Sequence, residues 1–214
     1  MMPTGLDLDS LAEELTPVKP LNAAYAMAGM AVLTLAGGIF VVVTLGFRNH
    51  FLDATAADPM FLIRSGLLLV LGTASLSAAT SMARPAVGTS RTGWRWTTAA
   101  ALIVPVAAAI AALVGNTPVA ERLHPRDGME CLTYSIGIGL VLSAVLTLWL
   151  RRGAPTSPER AGTVIGLAAG SLGTLAYSLH CPYNDLVYIG LWYTLAIAAT
   201  TLVGRLFVPH LIRW

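Results

Sequence analysis

Six apolar segments, each close to 20 residues long, constrain the fold of this chain more than any other feature of its sequence. A helix needs about 20 mostly apolar residues to cross the hydrocarbon of a bilayer, where a helix satisfies its own backbone groups. The segments cover residues 23–47, 61–82, 97–114, 132–150, 161–179 and 186–207. Only 11% of the 214 residues are charged, whereas about 25% are charged in soluble domains. We therefore predict an all-α integral membrane protein.

The predicted architecture is a six-helix transmembrane bundle preceded by a short cytoplasmic N-terminal segment. Residues 1–22 form that segment, and residues 23–214 form the transmembrane domain. Basic residues predict the orientation, because cytoplasmic loops are enriched in Lys and Arg. Nine basic residues fall on one side of the bundle: Lys19, Arg84, Arg91, Arg95, Arg151, Arg152, Arg160, Arg205 and Arg213. The other side has Arg48, Arg122 and Arg126, so we predict a multi-pass protein of the bacterial inner membrane with both termini in the cytoplasm. The net charge of +2 is too small to indicate direct binding of nucleic acid.

Arg64 is the one ionisable residue that lies well inside an apolar segment. One interpretation is that its long side chain reaches back to the membrane interface. The other is an ion pair with Asp53 or Asp58. No carboxylate or histidine lies near the centre of a segment, which argues against proton-coupled transport.

Small residues recur at helical spacing in two of the segments. Gly162, Gly166 and Gly170 are four residues apart, and Gly173 follows. Ser135, Gly139 and Ser143 make a similar stripe in the preceding segment. Such stripes permit close approach of helix backbones, so they predict tight packing within the bundle and indicate nothing specific about function.

The two cysteines map to the same side of the predicted membrane. Cys131 lies just before the fourth segment and Cys181 just after the fifth, so both are predicted to lie on the outer face, where a bacterium permits disulfides. His124 and His180 are close to them in sequence. Three readings stay open: a redox or metal sensor, a static disulfide or idle thiols, and catalytic thiol chemistry. The chain has no CxxC pair, which disfavours the third reading.

The N-terminal segment carries a leucine stripe flanked by acids. Leu8, Leu11 and Leu15 share one face of a short predicted helix that also contains Glu13 and Glu14. A helix this short is unstable alone in water, so the pattern favours folding on a basic partner. An unstructured N-terminus with no binding role explains the pattern equally well.

Several motifs taken in order resemble those of the NrsF-type membrane anti-sigma factors, over nearly the whole chain. The resemblance is carried by a tail that ends Leu-Thr-Pro-Val-Lys-Pro-Leu (residues 15–21), and by Arg-Arg-Gly-Ala-Pro (151–155) before Pro158 and the Ala-Gly pair at 161–162. It continues in Leu-His-Cys-Pro (179–182), Leu-Trp-Tyr (191–193) and the closing Leu-Ile-Arg-Trp (211–214). Leu-His-Cys-Pro is the most specific of these.

The resemblance implies a regulator and not an enzyme. The N-terminal segment would bind an extracytoplasmic-function sigma factor through Leu8, Leu11, Glu13, Glu14 and Leu15, and keep it from RNA polymerase. Cys131 and Cys181 would sense metal or oxidative stress. It implies no resident cofactor, although a metal ion could bind transiently at the cysteines, with His180 and His124 as neighbours.

Two rival functions remain open at this point. A quinone-linked thiol oxidoreductase would turn over substrate disulfides. A small transporter or channel would carry a solute, and it is favoured by broken helices near the midplane. Pro105 is the only feature that points to a broken helix.

Overall fold

The structure, a computed structural model, describes residues 21–47, 59–83, 92–153 and 155–212. Within these ranges the regular elements are helices, and no strand occurs. They are α1 (Ala23–Leu45), α2 (Pro59–Met82), α3 (Gly93–Ala100), α4 (Ile103–Val114), α5 (Val119–Arg122), α6 (Pro125–Leu150), α7 (Pro158–Ser178) and α8 (Leu186–Ile212). Each of the six apolar segments lies in this helical structure, so the prediction of an all-α fold is confirmed.

Local sequence signals explain where several helices begin and break. The side chain of Asn22 accepts a hydrogen bond from the Ala24 N–H at 2.9 Å, which caps the start of α1. Pro125 and Pro158 occupy the first turns of α6 and α7, where a missing N–H costs nothing. The third apolar segment is divided into α3 and α4 at Ala101 and Leu102. Pro105 cannot donate to the carbonyl of Ala101, four residues earlier, so its ring accounts for this break.

Helix α7 occupies the centre of the bundle. It contacts α1, α2, α3, α6 and α8. Most of its side chains are buried, and many of them are Gly, Ala, Ser or Thr. Helix α4, in contrast, packs against α8 at the edge.

The small-residue stripes form the closest contacts of α7. A methyl group added at Gly162 would lie 2.5 Å from the carbonyl oxygen of Gly204, and one added at Gly166 would lie 2.5 Å from that of Thr200. One added at Gly173 would lie 2.7 Å from the carbonyl oxygen of Ser135 on α6. These distances leave no room for a Cβ atom, so the stripes do pack the bundle, as predicted.

Five helical segments among the described residues are long and apolar enough to cross a membrane. They are Ala23–Leu45, Pro59–Met82, Gly93–Val114, Pro125–Leu150 and Leu186–Ile212. Helix α7 has 21 residues and is not among them. The fifth predicted segment is therefore a helix, but composition alone supports five spans and not six.

The bundle has two ends that differ in chemistry. At the first, the Arg160 guanidinium stacks 5.3 Å from the ring centre of Trp94, and Gly153 approaches Ala83 and Leu21. We call this the basic end, and it comprises described residues 21–23, 81–83, 92–95, 149–160 and 205–212. The thiol end comprises residues 45–47, 59–64, 115–131 and 178–188, which include both cysteines.

Candidate functional site

The two cysteines lie in one buried cluster at the thiol end. Cys131 is in the second turn of α6, and Cys181 follows the C-terminus of α7. Both side chains have no exposed area, and both are thiols in the structure. The cluster that holds them also contains Tyr177, Tyr188 and Tyr193. Since α6 and α7 are adjacent helices that run in opposite directions, positions 50 residues apart in sequence meet at one depth, as predicted.

The cluster is aromatic and apolar, which differs from the polar surroundings that the sequence suggested. Its other buried members are Val41, Leu68, Ile189 and Trp192. Burial in such surroundings disfavours an exposed, freely reacting thiolate. An agent that modifies either thiol must therefore enter the bundle or wait for the cluster to open.

Arg64 anchors the turn that carries Cys181. Only 3% of this side chain is exposed, so its guanidinium is buried within the protein and does not extend into water. Its guanidinium donates to the carbonyl oxygen of Ser178 at 3.1 Å, to that of Cys181 at 2.8 Å, and to that of Tyr183. The alternative partners Asp53 and Asp58 lie outside the described residues. Carbonyls at a helix C-terminus lack helical partners and carry partial negative charge, and this explains why α7 attracts a cation there.

A polar layer covers the cluster on its outer side. The Tyr183 hydroxyl donates to the Asp127 carboxylate at 2.5 Å, and the Arg122 guanidinium donates to the Asp185 carboxylate at 2.6 Å. The other oxygen of Asp185 accepts from the N–H groups of Val187 and Tyr188, which caps the start of α8. The loop between α7 and α8 is thus attached to both α5 and α6.

These contacts shift the pKa values of two side chains in the polar layer, Tyr183 and Asp185. The hydrogen bond to Asp127, together with burial and the charge of that carboxylate, raises the pKa of Tyr183 to about 12. Burial acts to raise the pKa of Asp185, but hydrogen bonds from Arg122 and the α8 backbone outweigh it and lower that pKa below the ordinary value of 3.8. Tyr183 therefore stays a donor, and Asp185 stays an anion, across the physiological range.

The two histidines have partners other than the thiols. Nδ1 of His180 lies 2.9 Å from the carbonyl oxygen of Gly46 at the end of α1. The His124 ring stacks on Tyr183 with ring centres 4.3 Å apart. In the part of the chain that the structure describes, no group of three or more His, Cys, Asp or Glu side chains is placed to hold a metal ion. Metal binding at the cysteines stays a prediction.

The predicted partner-binding residues cannot be placed. Leu8, Leu11, Glu13, Glu14 and Leu15 lie outside the described residues. The described chain begins at Leu21, which packs beside Ala83 and Gly153 at the basic end. The segment therefore joins the bundle at the end opposite the cysteines.

Comparison with known proteins identifies the family. The family model described as "NrsF: Negative regulator of sigma F" matches residues 11–214. The chain belongs to this family.

Two curated relatives agree with the family match. The anti-sigma-F factor NrsF of Caulobacter vibrioides (strain NA1000 / CB15N) is 31% identical over 206 residues, which cover 94% of this chain and 92% of the relative. The probable anti-sigma-F factor NrsF of Azospira oryzae (strain ATCC BAA-33 / DSM 13638 / PS) is 32% identical over 186 residues, which cover 84% of each chain. No solved structure matches. These matches confirm the resemblance stated from the motifs. The NrsF family is regulatory and not enzymatic.

Sequence reasoning missed the role of Arg64 in this NrsF-family chain. The signal was present, since an arginine inside an apolar segment marks a site where a charge has a specific partner. Only the fold shows that the partner is the main chain around Cys181, more than 100 positions away in sequence. The polar layer was also missed, because Arg122 and Asp127 meet Asp185 and Tyr183 only when the two loops come together.

Proposed function

We propose that this chain is an inner-membrane anti-sigma factor that holds an extracytoplasmic-function sigma factor at the cytoplasmic face. In this proposal residues 1–22 bind the sigma factor, and a reaction at Cys131 and Cys181 releases it. The observation that carries the proposal is the family match over residues 11–214. The second part is supported by the presence of both cysteines in one cluster, which brings the two thiols together.

Membrane insertion is supported by the surface of the bundle. Many large apolar side chains are exposed on its helices, among them Val32 and Leu35 on α1 and Ile103 and Leu113 on α4. A soluble protein rarely exposes contiguous apolar patches larger than a few hundred Å². Lipid is the solvent that suits such a surface, and five segments are long enough to cross it.

Charge supports an orientation with the basic end in the cytoplasm. Among the described residues, the basic end has five cationic side chains and one acidic one: Arg95, Arg151, Arg152, Arg160, Arg205 and Glu159. The thiol end has three cationic and four acidic ones: Arg64, Arg122, Arg126, Glu121, Asp127, Glu130 and Asp185. Since basic residues accumulate on the cytoplasmic side, the cysteines face the periplasmic half and the N-terminal segment is cytoplasmic.

The N-terminal segment suits a protein groove better than the membrane surface. Its leucine stripe, Leu8, Leu11 and Leu15, supplies apolar contact on one helical face. Glu13 and Glu14 favour a basic partner and would be repelled by anionic lipid. Docking of an amphipathic helix into a groove uses this pattern.

The cysteine chemistry balances in two ways. A peroxide takes two electrons and two protons from the two thiols as the S–S bond forms: hydrogen peroxide is reduced to two waters, and an organic hydroperoxide to an alcohol and one water. A soft metal ion instead displaces the thiol protons and binds both sulfurs. A near-complete release requires about 5.5 kcal/mol of difference between the two states. The S–S bond or the metal complex would supply this difference by forming in only one of the two states.

Co-purification from native membranes tests the proposal. The full chain, tagged at its C-terminus, is isolated in mild detergent, and bound proteins are identified by mass spectrometry. We expect a sigma factor with the full chain, and none after removal of residues 2–20. Leu11→Ala with Leu15→Ala should reduce the bound sigma factor about tenfold or more, whereas Leu6→Ala, on the opposite helical face, should not. Good recovery of the full chain without a sigma factor would contradict the proposal.

The cysteine part is tested separately on the purified complex. Treatment with peroxide or with Zn²⁺ should release the sigma factor from the unsubstituted chain. Cys131→Ser and Cys181→Ser should each abolish release by peroxide while leaving the complex intact. Release that survives both substitutions would remove the cysteines from the mechanism and leave the anti-sigma role standing.

A further inference from the structure

Helix α2 connects the cysteine cluster to the place where the N-terminal segment joins the bundle. Near its start, Arg64 binds the main chain of residues 178–183, which we call the Cys181 turn. Past its C-terminus, the carbonyl oxygen of Ala83 lies 2.7 Å from a methyl group added at Gly153, and the Leu21 side chain lies 3.0 Å from the same point. At 1.5 Å per residue, α2 spans roughly 27 Å from Arg64 to Met82.

The attachment of Arg64 to the Cys181 turn is specific. A planar guanidinium has five donors in a fixed fork, so it can bind several carbonyls at once in one geometry. Its central carbon also lies over two aromatic rings, 5.2 Å from the ring centre of Phe61 and 5.9 Å from that of Tyr193. One of the three carbonyls belongs to Cys181 itself. The turn cannot change shape without breaking or moving these bonds.

The remainder of α2 is buried on one face along its length. Leu68 belongs to the cysteine cluster, whereas Leu76, Ala79 and Ala83 belong to the second core cluster nearer the basic end. A methyl group added at Gly72 would lie 2.9 Å from Cγ of Leu172 on α7. The helix contains no proline between Arg64 and Met82 and runs unbroken through Gly66 and Gly72. This unbroken helix is the path by which a displacement at Arg64 would reach the basic end.

We propose that Arg64 is the positioning residue of the cysteine pair: it fixes the Cys181 turn to α2, so that a reaction at Cys181 is carried along α2 to Gly153, beside which Ala83 and Leu21 both lie. This inference rests on the proposed function, because it takes the cysteines as the responsive site and residues 1–22 as the binding segment. It adds the element that links them.

Thiol reactivity tests the positioning step without any sigma factor. The full chain is purified in detergent with the Cys131→Ser substitution, and the rate at which a maleimide labels Cys181 is measured. Loss of the carbonyl bonds should open the turn, so Arg64→Gln should raise the labelling rate about tenfold or more. Arg64→Lys keeps the charge but not the fork, and should give a smaller increase. Arg160→Gln removes an arginine at the basic end and should leave the rate unchanged.

Release of the sigma factor tests the transfer step. Arg64→Lys, with both cysteines present, should still be oxidised by peroxide but should lose at least half of the release seen in the unsubstituted complex. If Arg64 had only a structural role, Arg64→Lys would alter the yield and stability of the protein. The amount of sigma factor released per oxidised chain would then be unchanged. Unchanged labelling and unchanged release in Arg64→Lys and Arg64→Gln would overturn the proposal.

Hydrogen exchange on the unsubstituted chain covers the case in which neither variant folds. Oxidation should change the exchange of amides in the Cys181 turn and in the first turns of α2 together. A change confined to the Cys181 turn would overturn the proposal. If peroxide releases the sigma factor with both cysteines replaced by serine, the proposed function fails in its cysteine part, whereas the labelling rates still decide the role of Arg64.

Discussion

Helix α7 and the segment Gly93–Val114, which contains α3 and α4, differ in how much of each is buried in the bundle. Sixteen residues of α7 are buried: Ala161, Gly162, Val164, Ile165, Gly166, Leu167, Ala168, Ala169, Gly170, Ser171, Leu172, Gly173, Thr174, Ala176, Tyr177 and Ser178. In α3 and α4 the buried residues are Thr97 and Ala108. Yet Gly93–Val114 is apolar enough to cross a membrane by composition, and α7 is not counted among such helices.

The difference shows that the most apolar helix is not the most buried one. A high apolar content indicates that a helix can face lipid, and it does not indicate that the helix lies in the centre of the bundle. Lipid tails are as apolar as leucine, so burial of leucine against another helix gains little in a membrane. The central position goes instead to the helix whose small residues let several neighbours approach. Large apolar residues such as Leu113 belong on the outer surface, where 86% of that side chain is exposed.

The largest expected effect comes from filling the α7 stripe. Gly166→Leu would place a Cβ atom 2.5 Å from the Thr200 carbonyl oxygen and 2.6 Å from the Thr201 Cα, both backbone atoms that cannot move aside. We expect at least about 3 kcal/mol of destabilisation, as for severe overpacking, and a large fall in the temperature of unfolding followed by circular dichroism in detergent. Gly137→Leu is the matched control, because a Cβ there meets nothing within 4 Å. Equal stability of the two variants would contradict the central position of α7.

A smaller effect is expected where the edge helix attaches. Gly190 on α8 faces Ala108, the buried residue of α4. Gly190→Leu should push α4 away at a cost of about 1–3 kcal/mol and leave the α7 contacts in place. Hydrogen exchange should then rise in residues 103–114 and stay unchanged in residues 161–178. Ala109→Leu, at an exposed position of α4, should have neither effect, and a global loss of protection in Gly190→Leu would show that α4 is not peripheral.

The polar attachment of the edge helix should contribute less. Arg122 donates to Asp185 at 2.6 Å and to the Ala111 carbonyl oxygen of α4 at 3.5 Å. Both partners of the ion pair are partly exposed, so Arg122→Gln should cost about 1 kcal/mol or less. The measurement is exchange of the amides of residues 111–115, which should rise with no change in α7.

The same ion pair gives a pH dependence. The pKa of Asp185 is lowered in the folded chain, so the stabilisation is complete above the ordinary value of 3.8 and is lost as pH falls through the lowered value. Exchange at residues 111–115, corrected for its intrinsic pH dependence, should rise in that range for the unsubstituted chain. Arg122→Gln should show a weaker rise, and an equal rise would place its cause elsewhere.

The smallest effect is expected from the hydroxyls of α7. Thr174 donates to the carbonyl oxygen of Gly170 at 2.8 Å, within its own helix. Thr174→Val keeps the shape and leaves no other helix without a donor, so unfolding should change by less than about 0.5 kcal/mol. A large loss in the same circular dichroism measurement would mean that the hydroxyl groups of α7 stabilise the bundle as much as its close backbone packing does.

Sequence reasoning predicted the helices well because each signal is local. The apolar segments marked their positions, and Pro105 lies in the region where α3 and α4 separate. The starts of α6 and α7, at Pro125 and Pro158, were not predicted. The glycine stripe of α7 predicted close packing, and the motif around Cys181 pointed to the family.

The site was predicted less completely, because it depends on loops that meet in space. The sequence placed Cys131 and Cys181 at one depth, but it did not predict that aromatic rings bury both of them.

By itself, the sequence determined the helical class, the charge difference between the two ends and the family, because composition, periodicity and motif order are properties of the chain alone. The tertiary structure decided which helix is central and what Arg64 binds. Both depend on distances between residues that are far apart in sequence. The sequence of an apolar segment does not indicate whether the segment faces lipid or a neighbouring helix. In the same way, the sequence does not indicate whether an arginine has water, a carboxylate or the end of a helix as its partner. Only the packing of α2 against α7 assigns the cation to the Cys181 turn.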